Sequence, residues 1–385
     1  MALPAAPPLG TSWLDAALAW RDRLLCSPGF RRWAERFGPT RWIARRRAAQ
    51  VFDLVAGFVY SQVLLACVQL RVFDLLRARG PLPLSTLAQL LNLPLVGAER
   101  LVRAAVALRL LETRSQGRVG LGPLGAPLAG NAGLTAMVEH HAVLYHDLAD
   151  PLALLRGDAQ PGQLAGYWPY AGTQRPRELP GHRLADYSEL MADSVPLVAE
   201  QVLQTYPLGR HRRLLDVGGG AGAFACAAAQ AAPQLEVQVF DLPAVAARAA
   251  QRFEQAGLAA RCQAFGGDFF QDELPAGADL VTLLRVVHDH DDARVLRLLG
   301  AVRRALVPGG ALLLAEPLAD TPGAERMGHA YFGWYLMAMG RGEPRSEARL
   351  RALLSEAGFI RVRRLRTPLP LQASALLATT PISLV

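Results

Sequence analysis

The chain contains no lysine, so each of its 41 basic residues is an arginine. Together with the abundance of Ala, Leu, Gly and Pro, this points to GC-rich coding, and part of the arginine content carries no functional message. Charge is sparse, at 19% of residues, while 51% are hydrophobic, which excludes a disordered polymer. Cysteine is scarce too. Cys26, Cys67, Cys226 and Cys262 form no C-x-x-C pair and show no zinc spacing, so no metal site is read and a reducing cytoplasm fits. Long apolar runs are missing. The most apolar window, residues 54–68, is short for a membrane span of roughly twenty residues and reads as a buried helix. The first residues lack a basic stretch followed by an apolar core, so no signal peptide is expected. No internal repeat or low-complexity segment stands out.

A length of 385 residues suits two domains with appendages. The net charge of +8 is uneven: residues 1–48 hold nine arginines against Asp15, Asp22 and Glu35, a balance of +6. Trp13, Trp20, Trp33 and Trp42 interleave with those arginines, making residues 1–50 a basic, Trp-rich extension. Residues 51–79 read as one or two helices apolar nearly all round, as expected of a buried or intersubunit helix. A short helix capped by Ser85, a second over 98–111 and a small β-wing over 112–121 follow, which is a winged helix-turn-helix. Such a fold raises DNA binding, but the would-be recognition helix sets Glu99, Arg100, Arg103 and Arg109 among apolar neighbours, and no nucleic-acid partner is expected. His140, His141, Tyr145 and His146 group on the next helix, at a spacing that does not put three metal ligands on one face. They read as pocket lining or core. The helical domain is expected over residues 51–165 and an α/β domain over 166–385, with Met191 on the inner face of helix 183–205.

The α/β domain carries the chemistry. Strands are expected near 213–217, 235–240, 261–266, 279–286 and 311–316 with helices between them, giving a doubly wound, Rossmann-like parallel sheet closed by a hairpin over 358–380. The first strand runs into Asp216 and a loop with Gly218, Gly219, Gly220 and Gly222, whose bare amides at a helix start suit a closely bound ligand. The second strand ends in Asp241, placed for ribose hydroxyls, and the third in Gly267-Asp268-Phe269-Phe270, where an acid beside aromatics suits an adenine edge. Acids at three successive strand ends suit a ligand with a ribose, an adenine and a cationic tail. The same glycines can be threaded as a dinucleotide fingerprint, which leaves a nicotinamide or nucleotide site as the alternative. The fourth strand runs into His288, a candidate general base, and the fifth delivers Glu316 to the same edge, where it could orient the imidazole. Without that geometry, 288–292 is a polar surface loop, and His290 is read that way.

Taken together, Asp216–Gly222, Asp241-Leu242-Pro243, Gly267–Phe269, His288-Asp289, Pro308–Gly310 and Ala357–Phe359 resemble the plant-type small-molecule O-methyltransferases over about residues 51–380. The resemblance implies S-adenosylmethionine (SAM) as methyl donor, S-adenosylhomocysteine as product, and a homodimer whose winged-helix domain completes the partner's pocket. It implies His288 as base with Glu316 as its partner, and donor contacts from Asp216, Gly218, Gly220, Gly222, Asp241, Leu242, Gly267, Asp268, Phe269 and Arg285. Met191, His141, Tyr335 and Met339 are expected on the acceptor pocket, the last two in the aromatic segment 330–339. Two positions depart from the pattern. His290 stands where a tryptophan is usual, and Pro344 falls on a flanking glutamate, so no second glutamate is assigned. Segments 20–33 and 58–67 further resemble the hydroxycarotenoid O-methyltransferases, which cap the tertiary 1-hydroxyl of acyclic carotenoids such as demethylspheroidene or hydroxyneurosporene. That acceptor resides in the bilayer, so a cytoplasmic enzyme held peripherally at the membrane by residues 1–48 is expected; a phenolic or polyketide acceptor is the alternative.

Overall fold

A computed structural model describes residues 13–158, 162–167, 185–370 and 373–382, with the backbone alone for 167 and 185–194. The chain divides into two compact units, residues 1–125 and 126–385. The division precedes the boundary expected near residue 165, because helix 132–147 packs on helix 185–205 inside the second unit.

The first unit is built of helices α1 (Trp13–Cys26), α2 (Pro28–Arg36), α3 (Gly38–Gln69), α4 (Val72–Arg79), α5 (Leu84–Leu90) and α6 (Leu95–Ala107). Strands β1 (Leu111–Thr113) and β2 (Val119–Leu121) form the antiparallel wing. Ser27 starts α2 by accepting the Phe30 amide at 3.4 Å, with Pro28 in the first turn, where a missing N–H costs nothing. The expected Ser85 cap is not made. Pro83 precedes the helix in an extended conformation, so α5 begins two residues earlier, at Leu84, without a side-chain cap. Phe73, Leu76, Leu87, Ala98, Val102, Ala105, Leu111 and Val119 supply the core.

The apolar window is not a buried segment. It continues N-terminally into the arginine-rich stretch as one 32-residue helix, α3, of which only Cys67 and Val68 are buried. Leu54 is 78% exposed and Phe58 68%. By length and composition alone α3 is also long and apolar enough to cross a membrane. Helix α1 buries no residue.

The second unit opens with α7 (Ala132–Asp147), α8 (Pro151–Arg156), α9 (Gln163–Tyr167) and α10 (Ala185–Thr205). Then β and α segments alternate: β3 (Arg213–Val217), α11 (Ala223–Ala231), β4 (Glu236–Asp241), α12 (Pro243–Gln255), β5 (Cys262–Gly266), β6 (Ala278–Leu284), α13 (Asp292–Ala305) and β7 (Leu306–Glu316). A π-helical turn over Arg326–Phe332 leads into α14 (Gly333–Met339), and α15 (Glu347–Glu356), β8 (Ile360–Leu365) and β9 (Ser374–Thr379) complete the chain. The sheet order is β5-β4-β3-β6-β7-β9-β8, parallel from β5 to β7 and antiparallel through β9 and β8. Apolar clusters cover both faces, one around Phe224 and Phe253, the other around Leu298 and Leu353. Between β3 and β6 the winding reverses direction, and the crevice that opens there at the carboxyl edge is where open α/β sheets bind ligands.

Gly222 starts α11 with φ +76°, and a Cβ there would come within 2.9 Å of the Phe253 ring and 3.2 Å of Ala249. Gly222→Ala should therefore cost about 1–3 kcal/mol through left-handed strain and overpacking. The urea midpoint should fall with an unchanged m-value; an unchanged midpoint would contradict this account.

Candidate active site

At the carboxyl edge, Asp216 is buried on β3 and its Oδ1 accepts the Thr282 hydroxyl at 2.7 Å. The glycines that follow are there for lack of space. A Cβ on Gly219 would lie 2.5 Å from the Asp216 carboxylate, and one on Gly218 2.7 Å from Val286. Asp241, ending β4, holds this loop: Oδ2 accepts the Gly220 amide at 2.8 Å and Oδ1 the Leu242 amide at 2.7 Å. The Asp241 carbonyl accepts the Gly267 amide at 2.9 Å, which ties the third strand end to the second. Asp268 is buried, with the Phe270 amide on Oδ1 and the Gln271 side-chain amide on Oδ2, both at 2.9 Å. His290 lies among these residues and not on the surface. Its ring meets those of Phe269 and Phe270 edge-on at 5.8 and 4.9 Å, and burial lowers its pKa to about 4.

Burial pushes the Asp216 carboxyl up to about 7, against the Thr282 hydrogen bond and with the Asp241 charge adding to the rise. Burial likewise raises Asp241 to about 6, against the two amides it accepts. Acidic groups held this way gain from a bound cation and from hydroxyl donors. The donor set fits SAM, whose ribose diol donates to carboxylates and whose sulfonium carries positive charge.

Where β6 ends, Arg285 takes a left-handed conformation, φ 57°, and its amide donates to the Ala315 carbonyl at 2.9 Å. A tight turn over Val287–Asp289 follows, so His288 and Glu316 arrive side by side from neighbouring strands. Both are buried. Glu316 meets His288 chiefly through the backbone: Oε2 accepts the His288 amide at 3.1 Å and lies 3.9 Å from the ring Nδ1. The carboxylate that contacts the ring is Asp289, whose Oδ1 sits 3.2 Å from Nε2. His288 Nδ1 and Glu316 Oε1 are buried without a hydrogen-bond partner among the described residues. Burial pulls the His288 pKa down, but Asp289 and Glu316 outweigh it and hold it above the ordinary histidine value. Burial raises Glu316 against the pull of His288 and Arg345.

Aromatic residues continue from the base. The Phe332 ring lies 5.9 Å from that of His288, with Tyr331 4.9 Å beyond it and Tyr335 6.0 Å from Tyr331. Two histidines of α7 fix the tyrosines: His141 Nε2 meets the Tyr331 hydroxyl at 2.6 Å and His140 Nε2 meets that of Tyr335 at 2.8 Å. Burial lowers His140 to about 4 and raises Tyr331 to about 12, so both are neutral. Met339 is buried in the cluster of Tyr335, Leu144 and Leu164. The Met191 side chain lies outside the described residues. His146 points instead to Asp147, at 3.3 Å. Among the described residues no His/Cys/Asp/Glu group is arranged to hold a metal.

Residue-by-residue reading gave no role to Asp289 or Thr282, and took Tyr331 and Phe332 only as part of the pocket-lining segment 330–339. Thr282 carried a faint signal, a hydroxyl inside the apolar run Leu280–Leu284.

The chain matches known proteins over nearly its whole length. The family model of the O-methyltransferase domain matches residues 145–360, and that of the O-methyltransferase dimerisation domain matches residues 52–129. A demethylspheroidene O-methyltransferase of Cereibacter sphaeroides is 43% identical over 381 residues, covering 98% of this chain and 97% of that one. A protein of the same name from Rhodobacter capsulatus is 42% identical over 335 residues, 87% of this chain and 82% of its own. Among solved structures, human N-acetylserotonin methyltransferase in complex with SAM aligns with a TM-score of 0.72 at 27% identity, over 87% of this chain and 98% of that one. A helical unit followed by a mostly parallel α/β sheet is the architecture these relatives share. The chain belongs to the SAM-dependent O-methyltransferase family, and it carries that family's dimerisation domain.

Proposed function

We propose that the acceptor is the tertiary 1-hydroxyl of an acyclic hydroxycarotenoid and that His288 removes its proton. The observation that carries the acceptor assignment is the 43% identity, over 98% of this chain, to a demethylspheroidene O-methyltransferase. An apolar polyene also suits the ring series Phe332, Tyr331 and Tyr335, whose phenols are already bonded to neutral histidines or deeply buried.

Bound SAM supplies an electrophilic methyl group on a cationic sulfur. Asp216, Asp241 and the glycine loop would hold the donor, Asp241 toward the ribose, with Asp268, Phe269 and His290 near the adenine. Alignment of the hydroxyl with the methyl group is worth several kcal/mol, of the order of ~7 or more when near-attack geometry is enforced. Neutral His288 accepts the hydroxyl proton as the new bond forms. The imidazolium is then held between Asp289 and Glu316. Because a tertiary alcohol is only weakly acidic, proton removal is concerted with methyl transfer.

A bilayer-resident acceptor requires attachment to the membrane. We assign this to α1, α2 and the first turns of α3, where Trp13, Trp20 and Trp42 are exposed among the arginines. The apolar face of α3 from Val51 to Val59 falls at the start of the dimerisation domain and is assigned to a second copy of the chain.

Calorimetry with S-adenosylhomocysteine should show Asp241→Ala losing more than about 1 kcal/mol of binding. Both raised carboxyls must be ionised to serve the ligand. Affinity therefore levels off only well above pH 7 and falls as the pH drops through about 7 and then about 6, and binding near those values releases protons. A pH-independent affinity, or tight NADH binding with no response to S-adenosylhomocysteine, would contradict the donor site. His288→Ala should lower kcat by about 10²-fold or more with S-adenosylhomocysteine affinity intact. The active base is the neutral ring, so the wild-type rate should climb with pH through a value above 6.5. Wild-type turnover in the variant would move the role elsewhere. The full chain should float with anionic vesicles, and a chain beginning at Ser27 should float less and more salt-sensitively, since α1 buries nothing. Equal flotation would remove the membrane role from α1, and methylation of phenols but not of 1-hydroxycarotenoids would refute the acceptor.

A further inference from the structure

The turn that carries His288 is gripped from beneath by the segment between α14 and α15. Arg345 is only 2% exposed, although it is one of the largest side chains in the molecule. Its guanidinium donates from Nη1 to the Val287 carbonyl at 3.0 Å, from Nη2 to the His290 carbonyl at 2.6 Å, and from Nε to Asp292 Oδ1 at 2.7 Å. The same strap takes the carbonyl between them: the Glu343 amide donates to His288 O at 3.0 Å. Gly342 makes this approach possible. It has φ +84°, and a Cβ there would fall 2.1 Å from the His288 carbonyl oxygen. The strap is anchored in turn by the Ala319 amide, which donates to the Arg345 carbonyl at 2.9 Å, three residues beyond Glu316.

Taking a guanidinium out of water is costly, and where cohesion alone is needed apolar packing does as well. What an arginine adds is a rigid fork of donors that fixes acceptors in direction as well as distance. Here the fork fixes the carbonyls on either side of His288. A second effect is electrostatic: Arg345 pulls the Glu316 carboxyl toward its ionised form, against burial.

We propose that Arg345, with Gly342, is a positioning residue for methyl transfer, fixing the His288 turn so that the imidazole stays aimed at the acceptor. This rests on the reading of His288 as the base. Displacement of a reacting group by about 1 Å costs on the order of 10²-fold in rate. Arg345→Lys, which keeps the charge but loses the fork, and Gly342→Ala, which pushes the carbonyl away, should each lower kcat by about 10- to 100-fold. Acceptor KM and S-adenosylhomocysteine affinity should stay within about threefold, because neither residue touches those ligands.

The deciding experiment places each substitution in the wild-type and His288→Ala backgrounds. If Arg345 acts through His288, its substitution costs less than about twofold once the imidazole is gone. A loss of the same factor in both backgrounds, or a loss confined to KM, overturns the proposal. Should Arg345→Lys fail to fold, Gly342→Ala and Asp292→Asn carry the same test, since Asp292 holds the guanidinium from its open side. Full turnover in His288→Ala alone refutes the base assignment; a slow His288→Ala beside an unimpaired Arg345→Lys and Gly342→Ala refutes the strap alone.

Discussion

Charge held out of water at one sheet edge governs how this enzyme is built. Asp216, Asp268, His288, Asp289, Glu316 and Arg345 are all buried there, and Asp241 lies among them. Each would be costly alone, and each is tied to a neighbour of suitable sign, a backbone dipole or a side-chain hydroxyl. Asp216 has a threonine hydroxyl, Asp241 has two amides, Glu316 has the His288 amide, and Arg345 has two carbonyls and a carboxylate. Compensation is incomplete at the donor end, where two carboxyls remain raised, and at the base, where two polar atoms find no hydrogen-bond partner among the described residues. Those are the places left for ligands to complete.

The flat core of the second unit serves this arrangement. Apolar strands buried on both faces set the height of every strand end, so an acid one residue past the run is delivered to the edge without further instruction. The glycine loop adds a steric condition, since no side chain fits beside Asp216 or Val286. The turn after β6 adds a backbone condition, with Arg285 held left-handed so that three residues can bring His288 to face Glu316.

This explains what the amino-acid order disclosed. The sheet, its strand ends and the acids on them were legible because period and hydrophobicity fix them locally. The fold class and the pairing of His288 with Glu316 at one edge followed from the same logic. Finer contacts were not legible. Asp289 and His288 are neighbours in sequence, and only the turn conformation decides that their side chains meet. His290 was read as surface because nothing near it in sequence announces Phe269 and Phe270 on another strand end. Arg345 lies 58 residues from the carbonyl of Val287, in a segment whose composition resembles any polar loop. The apolar composition of α3 left two readings open, a buried or an intersubunit helix, because it demands a cover without saying that the cover comes from the same chain.

The π-helical turn over Arg326–Phe332 has a consequence for how such enzymes diversify. A π turn is an α-helical turn with one residue too many, accommodated locally, so the helix beyond it keeps its register. Deleting one residue there would restore an ordinary α turn and exchange the rings beside His288, while α14, the sheet and the donor site stayed in place. Insertions and deletions usually damage helices by rotating everything downstream. At this turn a change in length is met by the π geometry itself, beside the ring of Phe332 that neighbours His288.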